Sequence, residues 1–191
     1  NRHQTMPAKY GLALVALRQA DYPKARSLLQ EAQAAARSAP AISSPLLDGL
    51  SLDIRLAAGQ AEEAVREAEA AHGRVPLSRG IAHQYADALI AAGRHEEAVR
   101  YLRDQAQLYR QEPQLQDRLA KAYAAQGKRA LQHLALAESY ALGGSLPAAL
   151  DQLQIARRAP DASFYDQSVI DARIREFQAQ RRQELEESQQ K

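Results

Sequence analysis

Three glycines recur at a fixed interval and constrain the fold of this 191-residue chain more than any other feature. Gly59, Gly93 and Gly127 are separated by 34 residues twice. Each follows a segment whose apolar residues recur three and four positions apart, which is typical of an amphipathic helix. Because glycine adopts a positive φ without a steric penalty, it commonly ends such a helix. The interval therefore predicts helical units that repeat along the chain.

One stretch, residues 81–102, has the pattern of a helix, a glycine turn and a second helix: IAHQYADALIAAGRHEEAVRYL. Its first half carries apolar residues on one face, Gly93 ends the helix, and a pair of glutamates opens the second half. Acidic residues in a first helical turn complement the helix dipole. Ala86 and Ala98 are small at the points where two helices would approach closely. The stretch therefore predicts a helix hairpin with a tight seam.

A period of about 34 residues built from helix hairpins is typical of tetratricopeptide (TPR) repeats. The sequence therefore predicts an all-α fold, a right-handed α-solenoid of TPR helix hairpins with a half-repeat and a C-terminal capping helix. Ala and Leu dominate the apolar residues and aromatic residues make up 5%, which favours helix over sheet. We expect the solenoid to cover residues 1–178 and a polar tail, helical or frayed, to cover 179–191.

The predicted repeats are not all alike. We place them at about 6–40, 45–77, 79–112, 113–142 and 130–160, with the capping helix at 163–178. Ala20 stands at the glycine position of the first repeat. The segment after that repeat is predicted to be a surface loop, with Ser44 as N-cap and Pro45 as the first residue of the next helix. Gly144 follows Gly127 by half a period, so one helix should close the fourth repeat and open the fifth.

The predicted binding surface is the concave face, which the first helix of each repeat lines in TPR proteins. The residues that the repeat period places on this face are apolar near the start of the chain, acidic in the middle and polar later. The predicted groove residues are Tyr10, Leu14, Leu17, Asp53, Leu56, His83, Asp87, Ile90, Asp117 and Lys121. For each position the alternative is an ordinary solvated side chain. Because aspartates occupy this face, a clamp there for the carboxylate of an acidic peptide tail is disfavoured.

No sequence pattern indicates catalysis or metal binding. The chain has no cysteine, and its five histidines lack the spacing of zinc ligands. Gly-x-Ser-x-Gly, His-Glu-x-x-His and phosphate-binding glycine loops are also absent. The net charge of +2 is not concentrated in any segment, which argues against a nucleic-acid or anionic-membrane surface. We expect no enzymatic site, no cofactor and no transmembrane segment in this chain.

Two segments resemble the C-terminal repeat domain of the beta-barrel assembly-enhancing protease (BepA) family. One is YGLALVALRQADYPKARSLL near the start of the chain. The other is LALAESYALGGSLPAALDQLQIARRAPDASFYDQSVIDARIREFQAQ near its end. The half-repeat before Gly144 and the segment 165–174 carry most of the resemblance, while the middle repeats are generic.

The resemblance implies a periplasmic zinc metalloprotease of Gram-negative bacteria, with a signal peptide and a His-Glu-x-x-His protease domain ahead of the repeats. The repeats would dock on that protease domain and contact the outer-membrane assembly machinery and client polypeptides. Because the chain opens on Asn1 and its His95-Glu96 pair lacks a second histidine at i+4, we expect the repeat domain alone, without zinc ligands. The alternative is a stand-alone scaffold or adaptor with no enzyme attached.

Overall fold

A computed structural model describes residues 2–37 and 40–189, and within these ranges the chain forms ten α-helices and no strand. The helices are α1 (Arg2–Arg18), α2 (Tyr22–Ala36), α3 (Pro40–Ala57), α4 (Ala61–Arg74), α5 (Arg79–Ala91), α6 (His95–Leu108), α7 (Pro113–Ala125), α8 (Arg129–Leu142), α9 (Leu146–Arg157) and α10 (Phe164–Gln189). Among the described helices, none has both the length and the apolarity needed to cross a membrane.

The chain divides into two compact units, and Asn1–Gly93 is the first. Here each helix from α1 to α5 packs against the next, and in addition α1 touches α3 and α3 touches α5. Small side chains fill the seams: Ala13, Ala16, Ala25 and Ala32 are at most 1% exposed and share one apolar cluster. Contacts between a helix and the next but one along the chain are typical of stacked helix hairpins, since each repeat buries its apolar face against its neighbour.

The second unit, Arg94–Lys191, contains α6 to α10. Its helix α8 packs against both α7 and α9. Ile170, Ile174 and Phe177 lie three and four positions apart on α10 and are buried in the same cluster as residues of α8 and α9. This apolar stripe makes α10 a capping helix. Beyond it, residues 178–189 continue the helix and are all exposed.

The turns follow the glycine interval. Gly59, Gly93, Gly127 and Gly144 each have a positive φ between 70° and 81° after a helix. Ala20, at the corresponding point after α1, has a φ of 58°. The turn at Ala20 is closed by the same two kinds of backbone hydrogen bond as the turn at Gly59. The chain therefore keeps the turn geometry of the repeat even where a Cβ atom opposes it.

The segment before α3 differs from the prediction. Helix α3 begins at Pro40, so the end of the expected loop is helical, and Ser44 lies inside the helix instead of capping it. Pro45 is correspondingly an internal residue of α3. Proline needs no donor at the start of a helix, and a second proline one turn later removes a single backbone hydrogen bond. Residues 38 and 39 of the predicted loop lie outside the described part of the chain.

The strained turn at Ala20 generates a prediction about stability. We expect Ala20→Gly to raise the free energy of unfolding by about 1 kcal/mol, because the substitution removes the Cβ clash at positive φ. Chemical denaturation would show a higher midpoint at an unchanged m value. The reciprocal change Gly59→Ala should lower the free energy of unfolding by a similar amount. A lower midpoint for Ala20→Gly would contradict this account of the turn.

Candidate functional site

An open cleft of about 610 Å³ lies in the second unit, between α6, α7, α8 and the start of α10. Each helix contributes side chains three and four positions apart, because that spacing puts them on one helix face. The lining residues are Arg103, Ala106, Gln107, Arg110, Gln116, Leu119, Tyr123, Leu131, Leu134, Ala135, Glu138, Tyr165, Asp166 and Val169.

The floor of the cleft is apolar. Leu119, Ala135 and Tyr123 are between 5% and 9% exposed, and Leu131 and Leu134 are half-buried. Tyr165, in contrast, is 75% exposed at the start of α10. A bound side chain could bury apolar area against this floor and against the exposed aromatic ring. Burial of apolar area is the main source of favourable binding energy at such sites.

Charged groups act on the phenol of Tyr123. Burial raises the pKa of Tyr123 above its usual value. The Arg103 cation partly offsets that effect by lowering the pKa, and the Asp166 carboxylate raises it further. The phenol, one cation and one anion therefore share one part of the cleft. At neutral pH the phenol is protonated and is a hydrogen-bond donor.

The capping helix is held against α8 by Arg173. Its Nε donates to Glu138 Oε1 at 2.6 Å and a terminal nitrogen donates to Glu138 Oε2 at 2.5 Å, while Glu176 accepts a third bond. The guanidinium also lies 4.4 Å from the centre of the Phe177 ring. Burial lowers the pKa of Arg173, but the hydrogen bonds and charges of Glu138 and Glu176 outweigh it and raise the pKa. A bidentate pair of this kind fixes both distance and orientation.

The start of α10 is fixed by a capping box. Asp166 Oδ2 accepts hydrogen bonds from the backbone N–H and the hydroxyl of Ser163, at 2.9 and 2.7 Å. The Asp166 N–H donates in return to the Ser163 hydroxyl at 3.1 Å. This reciprocal pairing satisfies donors that a helix start leaves unpaired. It also sets the direction in which Tyr165 and Asp166 enter the cleft.

The residues predicted from sequence lie elsewhere, and none of them lines the cleft. Tyr10, Leu14 and Leu17 of α1 are half-buried and pack against the core of the first unit. Asp53 on α3 is exposed and accepts a hydrogen bond of 2.7 Å from Gln84 of α5. Half-buried positions are Leu56 on α3, His83, Asp87 and Ile90 on α5, and Asp117 on α7, whereas Lys121 on α7 is exposed.

The structure thus brings eight of these residues onto α1, α3 and α5, which lie in the first unit. In that unit α3 touches both α1 and α5. Asp117 and Lys121 belong to the second unit. That this surface binds a partner stays a prediction.

The cleft contains residues whose role sequence reasoning missed. The repeat phase of the sequence predicts a core position for Tyr123. The side chain is indeed buried, but the same ring also lines the cleft. The three-and-four spacing of Arg103, Ala106 and Arg110 was the one local signal of the missed site.

A second cavity, of about 250 Å³, lies between α2, α3 and α4 in the first unit. Its three charged groups already have partners in the chain. Arg55 pairs with Glu67 across the cavity, and Arg26 donates to Gln60 at 2.9 Å. This cavity therefore offers a ligand fewer uncommitted polar groups than the larger cleft. Within the described residues, no group of three or more His, Asp and Glu side chains could hold a metal ion.

A solved structure matches most of the chain. A thermophilic TPR protein in Thermus thermophilus is similar with a TM-score of 0.54 and 18% identity, over 87% of this chain and 97% of that one. The chain has the fold of a TPR protein. The predicted fold class, an all-α solenoid of TPR helix hairpins, is confirmed, whereas identity this low carries no function across. No protein-family model matches the chain, and no curated protein matches it.

The electrostatics of the cleft can be tested through Tyr123. We expect Arg103→Gln to raise the pKa of Tyr123 further, because it removes the cation that lowers it. Because the pKa of Tyr123 is higher in the folded chain than the value of about 10 in the unfolded chain, its contribution to the free energy of unfolding is fully present below about pH 10. That contribution is lost as the pH rises through the pKa of the folded chain. Titration of ring-labelled tyrosine by NMR, with Tyr123→Phe for assignment, measures the shift. Arg100→Gln on the same helix is the control, and an unchanged pKa in Arg103→Gln would contradict the placement.

Proposed function

We propose that this chain is a protein-interaction domain and that the cleft of its second unit holds a segment of a partner polypeptide. The observation that carries the proposal is the lining of the cleft: a buried apolar floor of Leu119, Tyr123 and Ala135 beside charged and aromatic groups on neighbouring helices. Such a lining offers both apolar area and groups that fix orientation. Helical-repeat folds supply extended surfaces of this kind.

The resemblance to the BepA family supports a finer proposal. On that basis the domain is part of a periplasmic zinc metalloprotease, docks on its protease domain and contacts outer-membrane assembly machinery or client polypeptides. Zinc would then belong to the protease domain and not to this chain. The segment 165–174, which carries much of the resemblance, contributes Tyr165, Asp166 and Val169 to the cleft. The stand-alone scaffold or adaptor is the second candidate, and a His-Glu-x-x-His segment upstream in the reading frame would exclude it.

The interaction proposal can be tested with a random peptide library displayed on phage and selected on the purified chain. We expect enriched peptides whose affinity, measured by fluorescence anisotropy, falls at least about tenfold in Leu131→Glu, because a carboxylate would stand on the apolar wall. Circular dichroism checks that the variant keeps its helicity. If no peptide is enriched, the proposed function is wrong.

The same peptides can distinguish binding at the cleft from binding at the concave face that the sequence predicted. Asp87→Lys and Asp117→Lys reverse charges on that surface without touching the cleft lining. If these variants weaken binding and Leu131→Glu does not, the partner surface lies on the first helices of the repeats. If only Leu131→Glu weakens binding, the cleft holds the peptide.

The proposal also makes a prediction about activity. We expect the purified chain to leave casein intact, with or without added zinc. Hydrolysis needs a nucleophile or a metal-bound water held beside a base, and the sequence contains no motif that would position either. Gel electrophoresis after prolonged incubation is the measurement. Cleavage that a chelator abolishes would show a catalytic site in this chain and would contradict the proposal.

A further inference from the structure

We infer that the cleft selects an internal polypeptide segment that combines two acidic side chains with large apolar ones, an inference that rests on the proposed function. Internal here means that the acidic groups are Asp or Glu side chains and not a chain terminus. Three features of the cleft support it: which of its charged groups already have partners, what surrounds those that do not, and how far apart they stand.

The two acidic groups of the cleft are already engaged. Glu138 receives both hydrogen bonds of a bidentate pair with Arg173, and the two side chains are only 25% and 28% exposed. Asp166 accepts two hydrogen bonds from Ser163 in the capping box. A ligand cation would have to compete with these bonds, so neither carboxylate is a strong anchor for a basic partner.

The two cationic groups are less committed. In the part of the chain that the structure describes, no carboxylate forms an ion pair with Arg103 or Arg110. Arg110 Nε donates to the backbone carbonyl of Gln107 at 3.4 Å, a weak bond within its own turn. Both guanidinium groups therefore have donors to offer, and an incoming carboxylate is the acceptor that matches their geometry.

Apolar side chains line the same cleft as these two exposed cations. Leu119 and Tyr123 form the floor, and Leu131, Leu134 and Val169 line the walls. A large apolar side chain that covers them would exclude water and strengthen the attraction between nearby charges. Such a lining suits a polypeptide better than a nucleic acid, because large apolar side chains can cover the leucines and a sugar–phosphate backbone cannot. The protonated phenol of Tyr123 adds a hydrogen-bond donor to the same lining.

The separation of the two arginines along the backbone favours internal acidic groups over a terminal one. Arg103 lies within α6, whereas Arg110 follows the end of the helix at Leu108. A rise of about 1.5 Å per residue puts about 7.5 Å of helix between Arg103 and that end. Two guanidinium groups that start so far apart suit two carboxylates along a segment better than one carboxylate at a chain end.

The test uses a defined probe with the full chain. The probe is the fluorescein-labelled peptide Gly-Glu-Leu-Leu-Glu-Leu-Gly with an amidated C-terminus, and matched peptides replace both Glu by Lys or all Leu by Ser. We expect both replacements to weaken binding at least about tenfold, and added salt to weaken the acidic probe. Equal affinity for the Glu and Lys peptides would overturn the inference. So would binding that requires a free C-terminal carboxylate.

Protein variants provide a charge-swap test. Arg103→Glu and Arg110→Glu should each weaken the acidic probe at least about tenfold, whereas Arg100→Glu, on the same helix but outside the cleft, should not. The double variant Arg103→Glu with Arg110→Glu should prefer the Lys peptide, a gain that misfolding cannot produce. A double variant without that preference, or single variants that bind the acidic probe like the wild type, would overturn the inference.

The two proposals fail differently. If peptides selected from the library bind at the cleft while the acidic probe does not, the cleft is a binding site with another preference, and this inference alone is wrong. If no library peptide binds, the proposed function is wrong, and the inference falls with it. Binding of the acidic probe that Leu131→Glu leaves unchanged would likewise overturn the inference, because the probe would then occupy another surface.

Discussion

Close approach of helix backbones through buried alanines is the constraint on which this structure depends. Ala25, Ala64, Ala98, Ala137 and Ala156 lie within their helices and have no exposed surface. Small side chains at these points let neighbouring helices pack closely. Larger side chains would force the helices apart and disturb the other contacts between them. Fully buried leucine and isoleucine side chains supply much of the apolar area between the helices. Because each repeat buries its apolar face only against its neighbours, the stability of the fold comes from many such contacts in series.

Local sequence rules predicted the helices and turns, whose conformation depends on residues close to one another in the chain. Gly59 and Gly127 take the positive φ that their interval indicated, and even Ala20 follows it. The same rules were wrong at Pro45, because a serine followed by a proline is a good helix start by local criteria. There the chain had already begun its helix at Pro40, and one missing backbone bond did not stop it.

The cleft could not be predicted in this way because its parts are distant in sequence. The position of a residue within the repeat predicts its role in a hairpin, but α10 has no hairpin partner. Its place depends on contacts between residues distant in sequence, among them the pair of Arg173 with Glu138, which are 35 residues apart. Tyr123 shows the limit of the method. Its phase correctly indicated a buried position, but it could not indicate that one side of a buried ring borders a cavity built from four helices.

Helix α10 has two halves with different physical characters. The half around Ile170 and Phe177 is anchored in the core, whereas the last three turns, about 18 Å of helix, carry only exposed side chains. An isolated helix of that length is marginal in water. The outer half can therefore unwind and reform without disturbing any seam between repeats. Its length is consequently almost free of folding constraints, and it can be trimmed, extended or fused to another segment at little cost to the stack.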